Sequence, residues 1–231
     1  MKVLITAGAT QTPIDQVRAI TNIFRGRTGA QIAEWISDAG HDVTLLTSAP
    51  KSEHPSSALC PIQIHTFRTY DELAQLMEQE IRTGGYDLVI HSAAVSDYKV
   101  VATHILCEPG EASYMGPARL VIKLLQLVTG KISSSHKRLF LELVPTEKLI
   151  DKIRRDWGFK GFLVKFKLQV DKTDEELIDI ARKSREDSNA DLIVANCKEW
   201  AHQRAYVIGR DSYAFNVPRN IIAGAILLRM R

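Results

Sequence analysis

The sequence predicts an α/β protein with a doubly wound, mostly parallel Rossmann-like sheet, helices on both faces and a C-terminal hairpin and helix. Short runs of β-branched and apolar residues alternate with segments of helical period along most of the chain. This alternation is typical of strand–helix–strand units. One predicted strand, Asp87–Ser92, contains the uninterrupted apolar run Leu88–Ile90, as expected for a central strand that is buried on both faces.

The predicted strands are short apolar runs bounded by glycine, proline or polar residues. The run that opens the chain is only a few residues long, so we interpret it as a first strand rather than a signal peptide. The last two runs are predicted to form the terminal hairpin. In chain order the predicted strands are Lys2–Thr6, His41–Thr47, Ile62–Phe67, Asp87–Ser92, Leu139–Val144, Gly161–Leu168, Ala190–Ala195, Tyr206–Ile208 and Tyr213–Val217.

Capping boxes mark two of the predicted helices, because a threonine and a glutamate three residues later can satisfy each other's backbone N–H groups. A third helix, Glu147–Trp157, is predicted from its period alone. The boxes are Thr69 with Glu72, ahead of the helix Tyr70–Arg82, and Thr173 with Glu176, ahead of a helix that reaches about Ser188.

The first and last helices are predicted from apolar stripes and from their ends. Ala30–Ala39 is expected to end at Gly40, and Arg219–Arg231 to begin after Pro218. The residues expected to face inward are Ile32, Trp35 and Ile36 in the first helix, and Ile221, Ile222, Ile226 and Leu227 in the last.

The stretch from Tyr98 to Gly130 has the weakest pattern. It contains Pro-Gly and Gly-Pro turn signals, followed by an apolar segment, Leu120–Val128, that we interpret as helical. The chain has no internal repeat and no low-complexity linker, so we predict a single domain over residues 1–231.

Composition excludes several classes of protein. The chain has 231 residues, 45% of them hydrophobic, and a formal net charge of +3 without a block of basic residues. A diffuse charge of this size suits small anions rather than a nucleic-acid surface. Three cysteines argue against a disulfide scaffold and favour the cytoplasm. No apolar stretch approaches the length of a membrane span, so we expect neither nucleic acid nor a membrane as partner.

Three segments at predicted strand ends are rich in small and polar residues. They are Thr6–Thr10, Ser92–Tyr98 and Ala195-Asn196. Ligands of doubly wound sheets bind at the carboxyl ends of the strands, so these segments are candidates for a binding site. Gly8, Gly26 and Gly29 would let backbone N–H groups approach an anion, although glycine in a strand-to-helix turn is more often needed only for the turn.

Other chemistries lack their motifs. The chain has no G-x-G-x-x-G fingerprint, no Walker A sequence, no G-x-S-x-G elbow and no histidine and cysteine spacing for structural zinc. No tyrosine is followed four residues later by lysine, so the acid/base pair of short-chain reductases is also missing.

An ordered set of motifs is more specific than its parts. The sequence reads T-A-G-A-T, P-I-D-x-V-R-x-I-x-N-x-x-x-G-x-x-G, A-A-V-S-D-Y, G-K-I-S-S, F-K-L and V-A-N-C, in that order. It resembles the phosphopantothenate–cysteine ligases from Met1 to about Cys197. Because the first strand begins at once, and because F-K-L and K-I-S-S are similar to the stand-alone members, the resemblance implies a stand-alone ligase.

The resemblance implies a two-step reaction in coenzyme A biosynthesis. The carboxylate of 4'-phosphopantothenate would attack the α-phosphorus of CTP or ATP, and the amine of cysteine would then displace the nucleoside monophosphate. Magnesium would accompany the triphosphate. The resemblance also implies a cytoplasmic homodimer, in which Arg18 reaches the acid substrate of the neighbouring subunit.

The resemblance assigns roles residue by residue. Asn22 would hold the reacting acyl group, and Lys131 would offset charge at the α-phosphate from a mobile loop. Nucleotide binding would fall to Gly8, Gly26, Gly29, Phe166 and Asn196, and substrate binding to Arg18, Ala93, Ala94 and Asp97. No residue is assigned as a metal ligand.

The sequence departs from the family pattern at several positions. Phe24 and Arg25 stand where Ser-Ser is usual, Ala9 stands where a second glycine is common, and Gln169 replaces a glutamate. CTP is favoured over ATP, but Ser184 and Ser188 stand where CTP-using fused forms carry lysines, which leaves the nucleotide open. The alternatives are an NAD(P)-binding reductase-like protein and a ligase homologue that has lost activity.

Overall fold

The computed structural model describes residues 1–49, 61–106, 124–127 and 130–230. Contacts group these residues into two compact units. The first comprises residues 1–10, 23–95 and 148–231, and the second residues 11–22 and 96–147. The prediction of one ligase domain over residues 1–231 stays a prediction.

An eight-stranded sheet forms the first unit. The strands are β1 (Lys2–Ala7), β4 (Asp42–Thr47), β5 (Ile62–Thr66), β6 (Leu88–His91), β10 (Phe162–Gln169), β11 (Leu192–Cys197), β12 (Arg204–Ile208) and β13 (Ala214–Pro218). Their order is β13-β12-β11-β10-β6-β1-β4-β5, and all neighbours pair in parallel except β11–β12 and β12–β13. Strand order reverses at β1, which lies between β4 and β6, so the doubly wound sheet and the terminal hairpin are confirmed.

Helices cover both faces of this sheet, as predicted. They are α1 (Arg27–Asp38), α2 (Tyr70–Thr83), α3 (Leu149–Arg155), α4 (Asp174–Asp187) and α5 (Ile222–Leu228). Side chains of β1 alternate between two buried clusters: Val3 and Ile5 pack with α1 and α5, whereas Leu4 packs with α2 and α3. The alternation follows from the pleat of the strand and fixes the central position of β1.

The capping boxes at α2 and α4 are confirmed. Thr69 Oγ1 accepts a hydrogen bond from the Glu72 N–H at 3.2 Å, and Thr173 Oγ1 accepts one from the Glu176 N–H at 3.2 Å. In both boxes the glutamate carboxylate accepts from the N-cap backbone N–H. Both helices therefore begin where the sequence predicts.

The prediction that Trp35 and Ile221 face inward was wrong. Trp35 is 42% exposed, because the buried face of α1 is centred on Gly29, Ala33 and Ile36, and Trp35 lies outside it. Ile221 is 46% exposed, because the chain after Pro218 forms a 3-10 turn, Arg219–Ile221, before α5 begins. The different residue spacing of the turn rotates Ile221 away from the core.

The second unit consists of antiparallel strands. They are β2 (Gln11–Pro13), β3 (Ala19–Thr21), β7 (Tyr98–Leu106), β8 (Leu124–Gln126) and β9 (Phe140–Pro145). β2 pairs with β3, and β7 lies between β8 and β9. The predicted helix over Leu120–Val128 was wrong for residues 124–126, which pair with β7 as a strand. Residues 120–123 and 128 lie outside the described residues.

Candidate functional site

A cleft of about 610 Å³ opens in the first unit at the carboxyl ends of four parallel strands. Its floor and walls come from the ends of β1, β6, β10 and β11 and from the first turn of α1. Its size is that of an ordinary ligand pocket. Its lining residues are Gly8, 23–29, Gln31, 92–94, 166–168, Asn196, Ala201, His202 and Arg219.

Gly8 and Gly26 bring two loops into close contact at the mouth of β1. Both have positive φ angles, 86° and 84°, a region in which only glycine is unstrained. A Cβ on Gly26 would lie 2.4 Å from the Gly8 nitrogen, and a Cβ on Gly8 would lie 2.1 Å from Ser48 Oγ. The turn therefore requires both glycines, and the turn also lines the cleft.

The N-terminus of α1 points its backbone donors at the cleft. Gly26 is the N-cap and provides no side-chain cap. The first N–H groups of a helix lack intrahelical acceptors, and the helix dipole favours an anion beside them. Gly29 is buried in this turn, where a Cβ would lie 2.6 Å from Ala7 Cβ and 2.7 Å from Ser92 Oγ. Gly29 thus sets the close approach of α1 to the strand ends.

The charge of the cleft wall is wholly positive. Arg25, Arg27, Lys167 and Arg219 line it, and none of the described lining residues is an aspartate or a glutamate. Four basic side chains in a concave wall that contains no described carboxylate favour an anionic ligand. Arg25, one of the departures from the family pattern, is among them.

The backbone around Ala93 and Ala94 fixes the floor of the cleft. The Ala93 N–H donates to Thr6 Oγ1 at 3.2 Å, and the Ala94 N–H donates to the Gly8 carbonyl at 2.8 Å. Ala9 and Ala94 also form an isolated parallel bridge. These contacts join the end of β6 to the loop after β1, and the small side chains leave the cleft open above them.

Phe166 and Asn196 line the same cleft from adjacent strands. Phe166 lies on β10 and Asn196 near the end of β11. The Phe166 ring is half-buried and also packs against the main core cluster, so it belongs both to the core and to the site. The structure therefore brings Gly8, Gly26, Gly29, Ala93, Ala94, Phe166 and Asn196 together in one cleft.

Two buried basic residues lie in the strands behind the cleft. Burial, with a smaller contribution from Lys165, lowers the pKa of His91 to about 4, and His91 Nδ1 lies 2.9 Å from Thr6 Oγ1. Burial lowers the pKa of Lys165 to about 8. Lys165 Nζ donates to the Ser184 carbonyl at 2.8 Å and to Ser188 Oγ at 3.0 Å. Ser184 and Ser188, which stand where CTP-using fused forms carry lysines, therefore accept hydrogen bonds from a buried lysine.

The second unit contains Arg18, which is tied to Asp15. Arg18 Nη2 lies 2.6 Å from Asp15 Oδ2 and donates to the Ile132 carbonyl at 2.6 Å. The Arg18 side chain and the Val17 N–H hold the pKa of Asp15 well below its ordinary value. Asp15 thereby joins the turn after β2 to the 130–135 loop and fixes the position of the guanidinium.

Asn22, Asp97 and Lys131 also belong to the second unit. All three are exposed. The Asp97 carbonyl accepts a hydrogen bond from the Thr146 N–H at 2.9 Å, and the residue is exposed. Lys131 makes no hydrogen bond or ion pair with the residues that the structure describes.

Several residues of the cleft wall were not predicted from the sequence, among them Thr28 and four residues with basic side chains. Arg27, Lys167, His202 and Arg219 line the cleft together with the predicted glycines. Lys167 could have been found, because it follows Phe166 in a recognised motif. Arg219 lies 191 positions from Thr28, to which it donates a hydrogen bond, so no local pattern could have revealed it.

Two other kinds of feature are absent from the described ranges, a cluster of metal ligands and a membrane-spanning helix. No three or more histidine, cysteine, aspartate or glutamate residues there are grouped so as to hold a metal ion. No helix in that part of the chain is long and apolar enough to cross a membrane.

Comparison with known proteins gives a consistent assignment. The family described as DNA/pantothenate metabolism flavoprotein C-terminal domain matches residues 1–105. The coenzyme A biosynthesis bifunctional protein CoaBC of Thermococcus kodakarensis is 36% identical over 94% of this chain. The chain spans only 47% of the length of that relative.

This chain covers a larger share of the length of two further relatives. The phosphopantothenate–cysteine ligase of Homo sapiens is 26% identical over 91% of this chain and 76% of its own. The DNA/pantothenate metabolism flavoprotein from Streptococcus pneumoniae, whose crystal structure is known, is 32% identical in sequence to this chain. The two structures align with a TM-score of 0.78 over 99% of this chain and 97% of that protein's chain. The chain therefore belongs to the family of the DNA/pantothenate metabolism flavoprotein C-terminal domain.

Proposed function

We propose that this chain is a phosphopantothenate–cysteine ligase of coenzyme A biosynthesis. The observation that carries the proposal is the cleft of the first unit. Four basic residues and the N-terminus of α1, which has no side-chain cap, surround the strand ends there, and the described lining contains no carboxylate. Such a site suits a nucleoside triphosphate. The family includes relatives named phosphopantothenate–cysteine ligase, and we take the acid and amine substrates, phosphopantothenate and cysteine, from that name.

The proposed reaction proceeds in two displacements. A carboxylate oxygen of 4'-phosphopantothenate attacks the α-phosphorus of the nucleotide, and pyrophosphate leaves. The amine of cysteine then attacks the acyl carbon, the nucleoside monophosphate leaves with the bonding electron pair, and the nitrogen loses a proton to give the amide. A ligase of this type works mostly by positioning its substrates and by neutralising charge.

The proposal divides the roles between the two groups of residues. Gly8, Gly26, Gly29, Phe166 and Asn196 bind the nucleotide, and Ala93 and Ala94 admit the substrate to the floor of the cleft. From the second unit, the Asn22 amide donates to the acyl oxygen, Lys131 offsets charge at the α-phosphate, and Arg18 and Asp97 bind phosphopantothenate. In this proposal Arg18 acts on the substrate of a neighbouring subunit.

Magnesium and the choice of nucleotide remain part of the proposal. The cleft wall offers no carboxylate among its described residues, so this wall does not fit a metal held by protein ligands. We propose that magnesium arrives with the phosphates of the nucleotide, whose charge it reduces. CTP is the proposed nucleotide, with ATP as the alternative, and the scarcity of cysteines supports a cytoplasmic location.

Product formation tests the proposed activity. Purified protein should convert 4'-phosphopantothenate and cysteine to 4'-phosphopantothenoylcysteine with magnesium and CTP, and parallel reactions with ATP decide the nucleotide. Mass spectrometry detects the product. Absence of product with both nucleotides, from protein that is folded and binds nucleotide, would instead indicate a homologue that has lost activity.

We also propose that the protein is a homodimer through the three-stranded sheet of the second unit. Five large apolar side chains are exposed on its strands, which is unusual for a surface that faces only water. They are Tyr98, Val101, Leu125, Phe140 and Leu143. Leu125, 56% exposed, lies on β8, and an interface through α5 is the alternative.

Light scattering tests the dimer. We expect twice the chain mass of 25.9 kDa for the wild type, and a shift toward the monomer for Leu125→Asp, because an unpaired carboxylate in an apolar interface is costly. Leu228→Asp, at a residue of α5 that is 69% exposed, is the matched control and should leave the dimer intact. A wild-type monomer that is fully active at the same concentration would contradict the dimer.

A further inference from the structure

Arg219 occupies a fixed position in the wall of the cleft. It begins the 3-10 turn after β13, and its backbone N–H donates to the Gln203 carbonyl at 2.9 Å. Its guanidinium donates through Nη1 to the Ala201 carbonyl at 2.8 Å and through Nη2 to Thr28 Oγ1 at 2.5 Å. Arg219 thus connects the loop after β11 to the first turn of α1.

The positive charge of Arg219 has no counterion among the described residues. Both of its acceptors are neutral. Burial, and then the nearby Arg27, lower the pKa of Arg219, although it stays charged at any physiological pH. A half-buried charge without a partner is costly, and an anionic ligand would remove that cost.

The position of Arg219 also indicates where such an anion would lie. A second groove, of about 520 Å³, runs beside the cleft, and its lining includes Glu34 and Asp38. Thr28, His202 and Arg219 line both, so Arg219 stands where the two meet. An anion bound by Arg219 would therefore lie on the side of the cleft, whose described lining has no carboxylate. Thr28 Oγ1 accepts from Arg219, and its own proton is therefore free to be donated to a ligand oxygen.

We propose that Arg219 binds the polyphosphate tail of the nucleotide, with Thr28 donating to the same oxyanion. The inference rests on the proposed function, since it takes the ligand of the cleft to be a nucleoside triphosphate. A guanidinium held by two hydrogen bonds presents its remaining N–H groups in a fixed plane, which suits phosphate oxygens. The opposing interpretation is structural: Arg219 would only tie the 198–203 loop to α1.

Titration calorimetry with a phosphate series separates the two interpretations. The ligands are CMP, CDP and CTP, the corresponding adenine nucleotides, and inorganic tripolyphosphate. The proteins are the wild type, Arg219→Gln, Arg219→Lys and Arg182→Gln. Arg182 is the matched control, because its guanidinium also donates to a backbone carbonyl, that of Ser212, but lies outside the cleft.

The proposal predicts an effect that grows with the number of phosphates. Arg219→Gln should weaken triphosphate binding by about tenfold or more and monophosphate binding by about twofold or less, as expected for the loss of a charged hydrogen bond. Arg219→Lys keeps the charge but loses the planar guanidinium, so its affinity for triphosphate should lie between those of the wild type and Arg219→Gln. Arg182→Gln should bind every ligand like the wild type.

The failures of the inference and of the proposed function are distinguishable. Equal nucleotide affinities for the wild type and Arg219→Gln, with a lower melting temperature for the variant, would overturn the inference and establish the structural role. Wild-type binding of tripolyphosphate but of no nucleotide would overturn the proposed function. In that case a tenfold lower affinity of Arg219→Gln for tripolyphosphate would still support the anion site. An affinity for tripolyphosphate equal to that of the wild type would overturn it.

Discussion

Replacing Lys131 with glutamine is expected to lower kcat by about 100-fold or more, while KM for the nucleotide changes by only about twofold to threefold. The transition state of nucleotidyl transfer gathers negative charge around the α-phosphorus. The Lys131 ammonium is exposed and makes no ion pair with the described residues, so its charge is available to a substrate. An interaction made mainly in the transition state appears in kcat rather than in KM.

Lys137→Gln provides the matched control for this prediction. Lys137 lies in the same segment, between β8 and β9, is exposed and has no ion pair with the described residues. Its substitution should leave both kinetic parameters within about twofold of the wild type, as is usual for a surface residue. Steady-state kinetics with both folded variants decides the matter. A wild-type kcat for Lys131→Gln would remove this lysine from the mechanism.

Replacing Gly26 with alanine is expected to abolish most nucleotide binding. The positive φ of Gly26 alone costs a side chain about 1–2 kcal/mol. The new Cβ would also lie 2.4 Å from the Gly8 backbone nitrogen, and a backbone atom cannot move away as the end of a flexible side chain can. The loops at the mouth of β1 must then separate, so we expect the affinity for nucleotide to fall by about tenfold or more.

Gly40→Ala separates backbone strain from damage to the cleft. Gly40 has almost the same φ, 83°, but a Cβ there would meet nothing within 4 Å. We expect Gly40→Ala to lower the free energy of unfolding by about 1 kcal/mol and to leave nucleotide affinity unchanged. Denaturant unfolding and titration calorimetry measure the two effects. Equal nucleotide affinity for the two variants would show that the Gly26–Gly8 contact does not shape the site.

Local chemistry explains which parts of the fold could be predicted from the sequence. The capping boxes at Thr69 and Thr173 and the apolar run of β1 each depend on a few neighbouring residues, so their positions could be predicted from the sequence. Residues 124–126 could not, because a short apolar segment fits a buried helix and a strand equally well. Only pairing with β7, distant in sequence, makes them a strand.

Local sequence features also determine which residues of the site could be predicted. Gly8 and Gly26 were recognisable because strained turns and family motifs are both local features of sequence. Thr28 and Arg219 were not recognised, because the hydrogen bond between them depends on how the fold places the turn after β13 beside α1. Asn22 and Lys131 were found through the family motifs, and both are exposed in the second unit.

The order of product release tests the ligase assignment most directly. Purified protein is mixed with magnesium, 4'-phosphopantothenate and CTP or ATP, and pyrophosphate and nucleoside monophosphate are quantified with and without cysteine. The account predicts that pyrophosphate appears without cysteine in an amount close to that of the enzyme, whereas monophosphate release requires cysteine. Equal monophosphate release with and without cysteine, while the acyl-nucleotidyl intermediate is stable to hydrolysis, would contradict it.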